Sequence, residues 1–435
     1  MDDRALPQTG LLGRHPYTVM ITESGSGASR SGGLLVNRWR NDLATDEYGQ
    51  WCYLMNVGTG DVWSSGIQPT ASAPDFYEAA ISSSGARFSR TDGHFNTVTE
   101  IVAHLDRAAE SRRVAVTNRS ELDAVIEITS YQEIVIAPAI SDRGHRAFSN
   151  LFVQTEWLPE LTSLLAMRRP RSSRIEPVWC GHTVSVEGDL VHAVSCETDR
   201  ARFLGRGRSS RNPAAMDTPG ALSGTSGAAL DPVFALRVRI PVAAGQTVEA
   251  VFSTFAAGNR SQAVEYARHF TQPVSFPPVL GETDVSDVVL AEVGLGPEWK
   301  RRIESASLHL IYGTGRPATG TREDLLKLGL AGEWPIALAR IAYETDIGDA
   351  GDVVKLHRYW TLKGIPLDLV ILCATSVIAD AVRQMVLPEP HAPEGGPSIV
   401  ILNAAALDPS QVSLLDSLAR VRLVCSDGSV QVSHA

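Results

Sequence analysis

Up to about residue 255, apolar side chains recur in short alternating or β-branched runs, at 17–22, 51–57, 100–103, 113–117, 124–129, 178–186, 234–240 and 247–254. Glycine, serine, proline and aspartate cluster between them, as in Gly58-Thr59-Gly60-Asp61, Asp92-Gly93 and Ala244-Gly245-Gln246. A period of two broken by turn formers predicts meandering antiparallel strands. So many strands in succession predict a large sandwich of two packed sheets that no helix interrupts.

The period lengthens near Asn259, which can cap a helix running to about Phe270 with Ala263, Val264 and Ala267 on one face. A proline-bearing stretch at 271–281 reads as a linker, followed by helical patterns at 285–293 and 297–311. After residue 333 strands and helices alternate: strands at 334–342, 366–373, 398–402 and 420–424, helices at 349–363, 377–386 and 409–418. That rhythm predicts a small parallel sheet with right-handed crossovers, and runs such as LDLVIL suit strands covered on both faces. The expected domains are therefore a β-sandwich over 1–280, a helical linker over 281–333 and a small α/β module over 334–435.

The chain has 435 residues, 39 Lys and Arg against 49 Asp and Glu, a net charge of −10, with 44% hydrophobic residues. The balance is globular and acidic, which argues against a nucleic-acid partner, since polyanion binding draws on clustered Lys and Arg. No run has the length of a membrane span, and MDDRALPQTG is no secretory signal, so no membrane insertion and a cytoplasmic location are expected. Five dispersed cysteines without C-x-x-C read as reduced, buried thiols.

Motifs for a serine nucleophile elbow, a zinc protease or a zinc-ligand set are missing, so neither a cofactor nor a metal is expected. A nucleotide is disfavoured because the first α/β strand runs into Tyr343-Glu344-Thr345-Asp346 rather than a glycine-rich phosphate loop. Two segments carry candidate binding chemistry. The first presents Arg38, Trp39, Arg40 and Asp42, then Tyr48, Trp51, Trp63 and Gln68. Sugars stack apolar ring faces on aromatics and give their hydroxyls to carboxylates, amides and Arg, so this mixture suits a carbohydrate. The alternative is that Trp39, Trp51 and Trp63 anchor the core. The second segment, 199–211, holds five arginines; Arg206 and Arg208 beside Gly207 suit an anion, or form a loop paired with nearby acids. Glycoside chemistry needs paired carboxylates, or one acid and an attacking anion. Glu127, Glu133 and Glu156 are available, but no spacing pairs them, so no catalytic residue is assigned.

PYTVMITESGSGASRSGGLLVNRWRNDLATDEYGQWCYL and GDVWSSGIQPT, followed in order by ITSYQEIVIAP, AFSNLFVQTEW, ETDRARFLGRGR and LDPVFALR, resemble the supersandwich of glycoside hydrolase family 94, formerly glycosyltransferase family 36. The closest form is that of cyclic β-1,2-glucan synthases and β-1,2-oligoglucan phosphorylases. WPIALARI and HRYWTLKGIPLDLVIL resemble the segment that follows it there. The resemblance implies a galactose-mutarotase-like supersandwich and a β-1,2-glucan or oligosaccharide partner. It also implies an inverting phosphorylase whose general-acid aspartate sits in an (α/α)6 barrel. That barrel is not among these residues, so the expectation is a glucan-binding fragment without turnover of its own. The alternatives are an enzyme completed by a separately encoded barrel and a protein–protein assembly module.

Overall fold

The computed structural model describes residues 6–170, 177–188, 190–272, 276, 284–313, 320–386, 396–426 and 429–434. Most of the proline-bearing stretch at 271–281, with the expected boundary at 280, lies outside them. The chain divides into two compact units, Pro7–Asp284 and Val285–Ala435.

The first unit is mainly β. Its strands begin with β1 (Thr9–Arg14), β2 (Tyr17–Thr22), β3 (Gly27–Ser31), β4 (Leu34–Asn37), β5 (Gln50–Asn56) and β6 (Val62–Ser64). Next come β7 (Phe76–Ile81), β8 (Ala86–Asp92), β9 (Phe95–Ala103), β10 (Ala109–Asn118) and the long β11 (Ala124–Ala137). β12 (Val153–Leu158), β13 (Ser163–Arg168), β14 (Val178–Glu187), β15 (Ser195–Asp199), β16 (Pro232–Val242) and β17 (Thr247–Ala257) complete the set. A nine-stranded sheet runs β1-β2-β3-β4-β11-β16-β15, with β5 on β11 and β6 on β5. An eight-stranded sheet runs β12-β13-β14-β17-β10-β9-β8-β7.

Alternation along β11 sorts its side chains. Ile126, Ile128, Ile134 and Ile136 enter the core shared with Val114, Val116, Leu164 and Phe252 of the other sheet. Midway along the same face the core turns polar. His182 Nε2 lies 2.8 Å from Ser130 Oγ and its Nδ1 2.9 Å from Thr254 Oγ1, with the ring stacked near Phe234 and Phe252. Burial pushes its pKa down to about 3, so the imidazole is neutral. The opposite face of β11 carries Glu127, Tyr131 and Glu133. There Tyr131 packs with Trp51, Tyr53 and Phe203 under a second apolar layer.

Short helices do interrupt the sandwich, contrary to the sequence expectation: α1 (Ala139–Gly144) and α2 (Arg146–Asn150) follow β11, and α3 (Arg200–Leu204) follows β15. Helices of five or six residues show no apolar period to read. Their signals are local, as where the Asp199 carboxylate accepts from Ala201 N at 2.8 Å to cap α3. α4 (Arg260–Phe270) is the helix expected near Asn259, whose side chain accepts from Gln262 N at 2.9 Å.

The second unit holds α5 (Val285–Val293), α6 (Lys300–Tyr312), α7 (Arg322–Lys327), β18 (Ile336–Ile341), α8 (Ala350–Leu362), β19 (Asp368–Cys373) and α9 (Ser376–Met385). β20 (Ile399–Asn403), α10 (Pro409–Leu418), β21 (Ala419–Ser426) and β22 (Ser429–His434) follow. The sheet order is β20-β19-β18-β21-β22, parallel except for the final hairpin. The helices expected as a linker belong to this unit. Trp360 on α8, fully buried, donates from its indole N–H to Ser307 on α6 at 3.1 Å, which ties α6 into the module.

Candidate functional site

A pocket opens on the β11 face that carries Tyr131 and Glu133. β4 ends at Asn37, and Arg38 follows it with its backbone N–H on the Glu133 carbonyl at 3.0 Å. That bond aims a 1%-exposed guanidinium at two carboxylates, Glu133 and Asp142. Asp142 comes from α1, accepting from Arg38 Nη2 at 3.0 Å, and it also pairs with Arg40. Arg146 and Asn150 of α2 reach Asp231 at 2.6 and 2.9 Å, and Arg200 at the start of α3 reaches Glu133 at 2.5 Å. The two helix insertions therefore deliver the partners that neutralise buried charge under the pocket.

Burial alone would raise the Glu133 pKa, but Arg38, Arg200 and Arg146 outweigh it and hold the carboxyl below its usual value. A general acid needs the opposite shift. Glu127 is tied to Arg237 and Arg239, and Glu156 to Arg260. All three carboxylates weighed from the sequence are thus ion-pair partners. Among the described residues no group of His, Cys, Asp or Glu is placed to hold a metal ion.

The pocket wall comes from Trp51 and Tyr131, and its rim from Glu47, Tyr48, Arg146, Arg200 and Ser209. Its space is about 60 Å³, room for roughly four to six water-sized groups. The rim loop is anchored from below: the Asp46 carboxylate accepts from Ser24 and Ser26, and Tyr48 O accepts from Gly27 N at 3.0 Å.

Of the residues singled out in the sequence, Arg38, Tyr48 and Trp51 meet at this pocket. Arg40 lies behind it on Asp142. Trp39 packs on Ala28, Leu35 and Val135. Asp42 caps its own turn, accepting from Ala44 N and Thr45 N. Gln68 Nε2 donates to Thr45 O at 3.3 Å. Trp63 is a core side chain, 3% exposed, stacked on Phe95 and donating to Thr97 Oγ1 at 3.1 Å. Arg206 is exposed, and Arg208 pairs with Asp217 on the surface, so the two arginines do not converge on a shared site. Sequence reasoning missed Glu133, Arg146 and Arg200 as pocket residues. Arg200 lies inside the arginine-rich segment, and its one distinguishing signal was the Asp199 cap that precedes it.

The family model for the glycosyl hydrolase 94 supersandwich domain matches residues 2–273. The chain belongs to glycosyl hydrolase family 94. A relative, the cyclic β-(1,2)-glucan synthase NdvB of Rhizobium meliloti (strain 1021), is 30% identical over 375 residues, 84% of this chain. The chain spans 13% of that relative's length. Among solved structures, a bacterial glucoamylase complexed with acarbose is 9% identical, with 72% of this chain and 42% of that chain covered and a TM-score of 0.36. An Escherichia coli K12 protein assigned as an aldose 1-epimerase is 9% identical, covering 58% and 99%, with a TM-score of 0.31. Likeness at this level carries no assignment. Among the described residues no helix is long and apolar enough to cross a membrane.

Proposed function

We propose that this chain is a β-1,2-glucan-binding part of a synthase- or phosphorylase-type family 94 protein, and that it makes or breaks no glycosidic bond by itself. The observation that carries the reading is the Tyr48–Trp51–Arg200 pocket, where aromatic walls meet guanidinium and carboxylate groups in a space sized for a sugar edge. The Arg38–Glu133–Asp142 cluster beneath it makes a rigid floor rather than a reacting pair. Calorimetry with linear β-1,2-gluco-oligosaccharides tests this directly. Binding should appear in the micromolar to millimolar range and weaken at least tenfold in Tyr48→Ala and Arg200→Ala. No heat at millimolar ligand sinks the reading, and glucose 1-phosphate released from glucan and phosphate by the chain alone sinks its non-catalytic part.

A second reading, docking of a separately encoded barrel, is favoured by the apolar side chains that α1, α2 and the residue after α2 leave exposed: Ile140 at 38%, Phe148 at 52% and Leu151 at 53%. Mixing with the (α/α)6 barrel of a family 94 phosphorylase should then give co-elution that Phe148→Glu abolishes.

A further inference from the structure

We propose a second oligosaccharide site in the same unit, in the groove where the β1–β2 and β9–β10 hairpin tips meet α4. The groove holds about 500 Å³, against about 60 Å³ for the pocket on the β11 face. That lies in the range that accommodates whole small ligands, so it takes sugar rings rather than one edge.

Its lining has two kinds of surface. Pro16 at one hairpin tip, Leu105 at the other and Tyr266 on the second turn of α4 supply apolar and aromatic faces. Leu105 is 53% exposed, a large aliphatic side chain held in water by a tight hairpin. Tyr266 is positioned from two sides: Gln262, one turn earlier, donates from Nε2 to its hydroxyl at 3.3 Å, and Phe255 meets its ring edge to face at 89°. Asp106 and Arg107, ion-paired at 2.6 Å, add an acceptor and a donor at the rim.

Apolar faces flanked by a carboxylate, a guanidinium and an amide match a pyranose, which offers C–H faces and a ring of hydroxyls. The Asp106–Arg107 pair carries no net charge, which disfavours a phosphorylated or polyanionic ligand. The choice of glucan within the neutral saccharides rests on the reading of the chain as glucan-binding.

The test is a calorimetric titration of the whole chain with a linear β-1,2-glucopentaose, read for stoichiometry and repeated on variants. The expected wild-type result is two sites per chain. Tyr266→Ala should remove one of them or weaken it at least tenfold. Asp106→Ala and Arg107→Ala, surface changes that leave the fold intact, should each weaken the same site threefold or more. The groove site should persist in Tyr48→Ala. One site, abolished by Tyr48→Ala and indifferent to Asp106→Ala, Arg107→Ala and Tyr266→Ala, overturns the groove while leaving the pocket standing. One site lost only in the groove variants supports the groove and overturns the pocket. No binding to wild type overturns the carbohydrate reading and the groove with it.

Discussion

Arg38 and Asp142 meet at 3.0 Å with both side chains 1% exposed, across a sequence separation of 104 residues. The pair locks an insertion after β11 onto the turn after β4, beneath the pocket. Breaking one side of a buried pair leaves an uncompensated charge and costs about 3–5 kcal/mol. Arg38→Met is therefore expected to lower the urea midpoint by up to that equivalent, since it takes the most buried partner from Asp142 and Glu133 and leaves them Arg40 on one side and Arg146 with Arg200 on the other. Asp142→Asn keeps an acceptor for Arg38 and should cost about 1–3 kcal/mol. Equal and small losses in the two variants would contradict the account.

Trp63 and Tyr48 separate core from site. Trp63→Ala removes a buried indole stacked on Phe95, a cavity change worth about 3–5 kcal/mol. In the folded fraction, oligosaccharide affinity should be unchanged. A tenfold loss of affinity in Trp63→Phe, with stability retained, would put Trp63 at the ligand.

Acid sensitivity should begin above the carboxylate range. His182 stays neutral in the fold down to about pH 3, and burial pushes His104 down to about 4. Both imidazoles take up a proton near pH 6.5 once the chain unfolds. The unfolded state thus binds more protons below pH 6.5, and stability falls as pH drops, by about 1.4 kcal/mol per pH unit for each fully titrating group. Glu133 adds its loss at lower pH, below its unfolded value, because its folded pKa is depressed. Between pH 6 and 5, chemical denaturation of His182→Gln should show a shallower slope than wild type. An unchanged slope would mean that His182 is protonated in the fold.

All five cysteines are buried, and burial raises each thiol, Cys52 and Cys425 to about 12 and Cys196 and Cys373 to about 11. At pH 8 native protein should resist iodoacetamide for hours, while denatured protein takes up five equivalents, as mass spectrometry reads directly. Rapid native labelling at any one position would contradict its burial.

The arginine-rich segment gives a contrast within eight residues. Arg208 pairs with Asp217 at half-exposed positions, and such pairs are worth under about 1 kcal/mol. Arg206→Ala and Arg208→Ala should leave stability and oligosaccharide affinity unaltered, while Arg200→Ala weakens binding. Loss of affinity in Arg208→Ala would restore the anion site read from the sequence.

The sandwich and the α/β module were legible because both rest on periodicity. β5 alternates Cys52 and Leu54 into the core between the sheets with Trp51, Tyr53 and Met55 into the second apolar layer, and β19 is apolar after Asp368. Only part of the pocket was legible. Arg38, Tyr48 and Trp51 stand within one short segment of unusual composition, whereas Glu133, Arg146, Arg200 and Asp231 arrive from four distant places. No local pattern marks a carboxylate as facing three guanidinium groups. The capping box at Thr321 and Asp324, which starts α7, is a local signal of the legible kind.

β11 ties the two faces of the nine-stranded sheet to a single choice of alignment. Its even-numbered residues supply Ser130 and Gln132 to the His182 cluster, and its odd-numbered ones supply Tyr131 and Glu133 to the pocket, while β5 and β16 are bonded along both its edges. A slip by one position would trade these sets wholesale, sending a carboxylate among phenylalanines and a glutamine among arginines. An insertion or deletion inside this strand would therefore strike folding and recognition together. Side-chain changes that probe the proposed glucan site belong in the rim loop and the helical insertions, which lie outside that alignment.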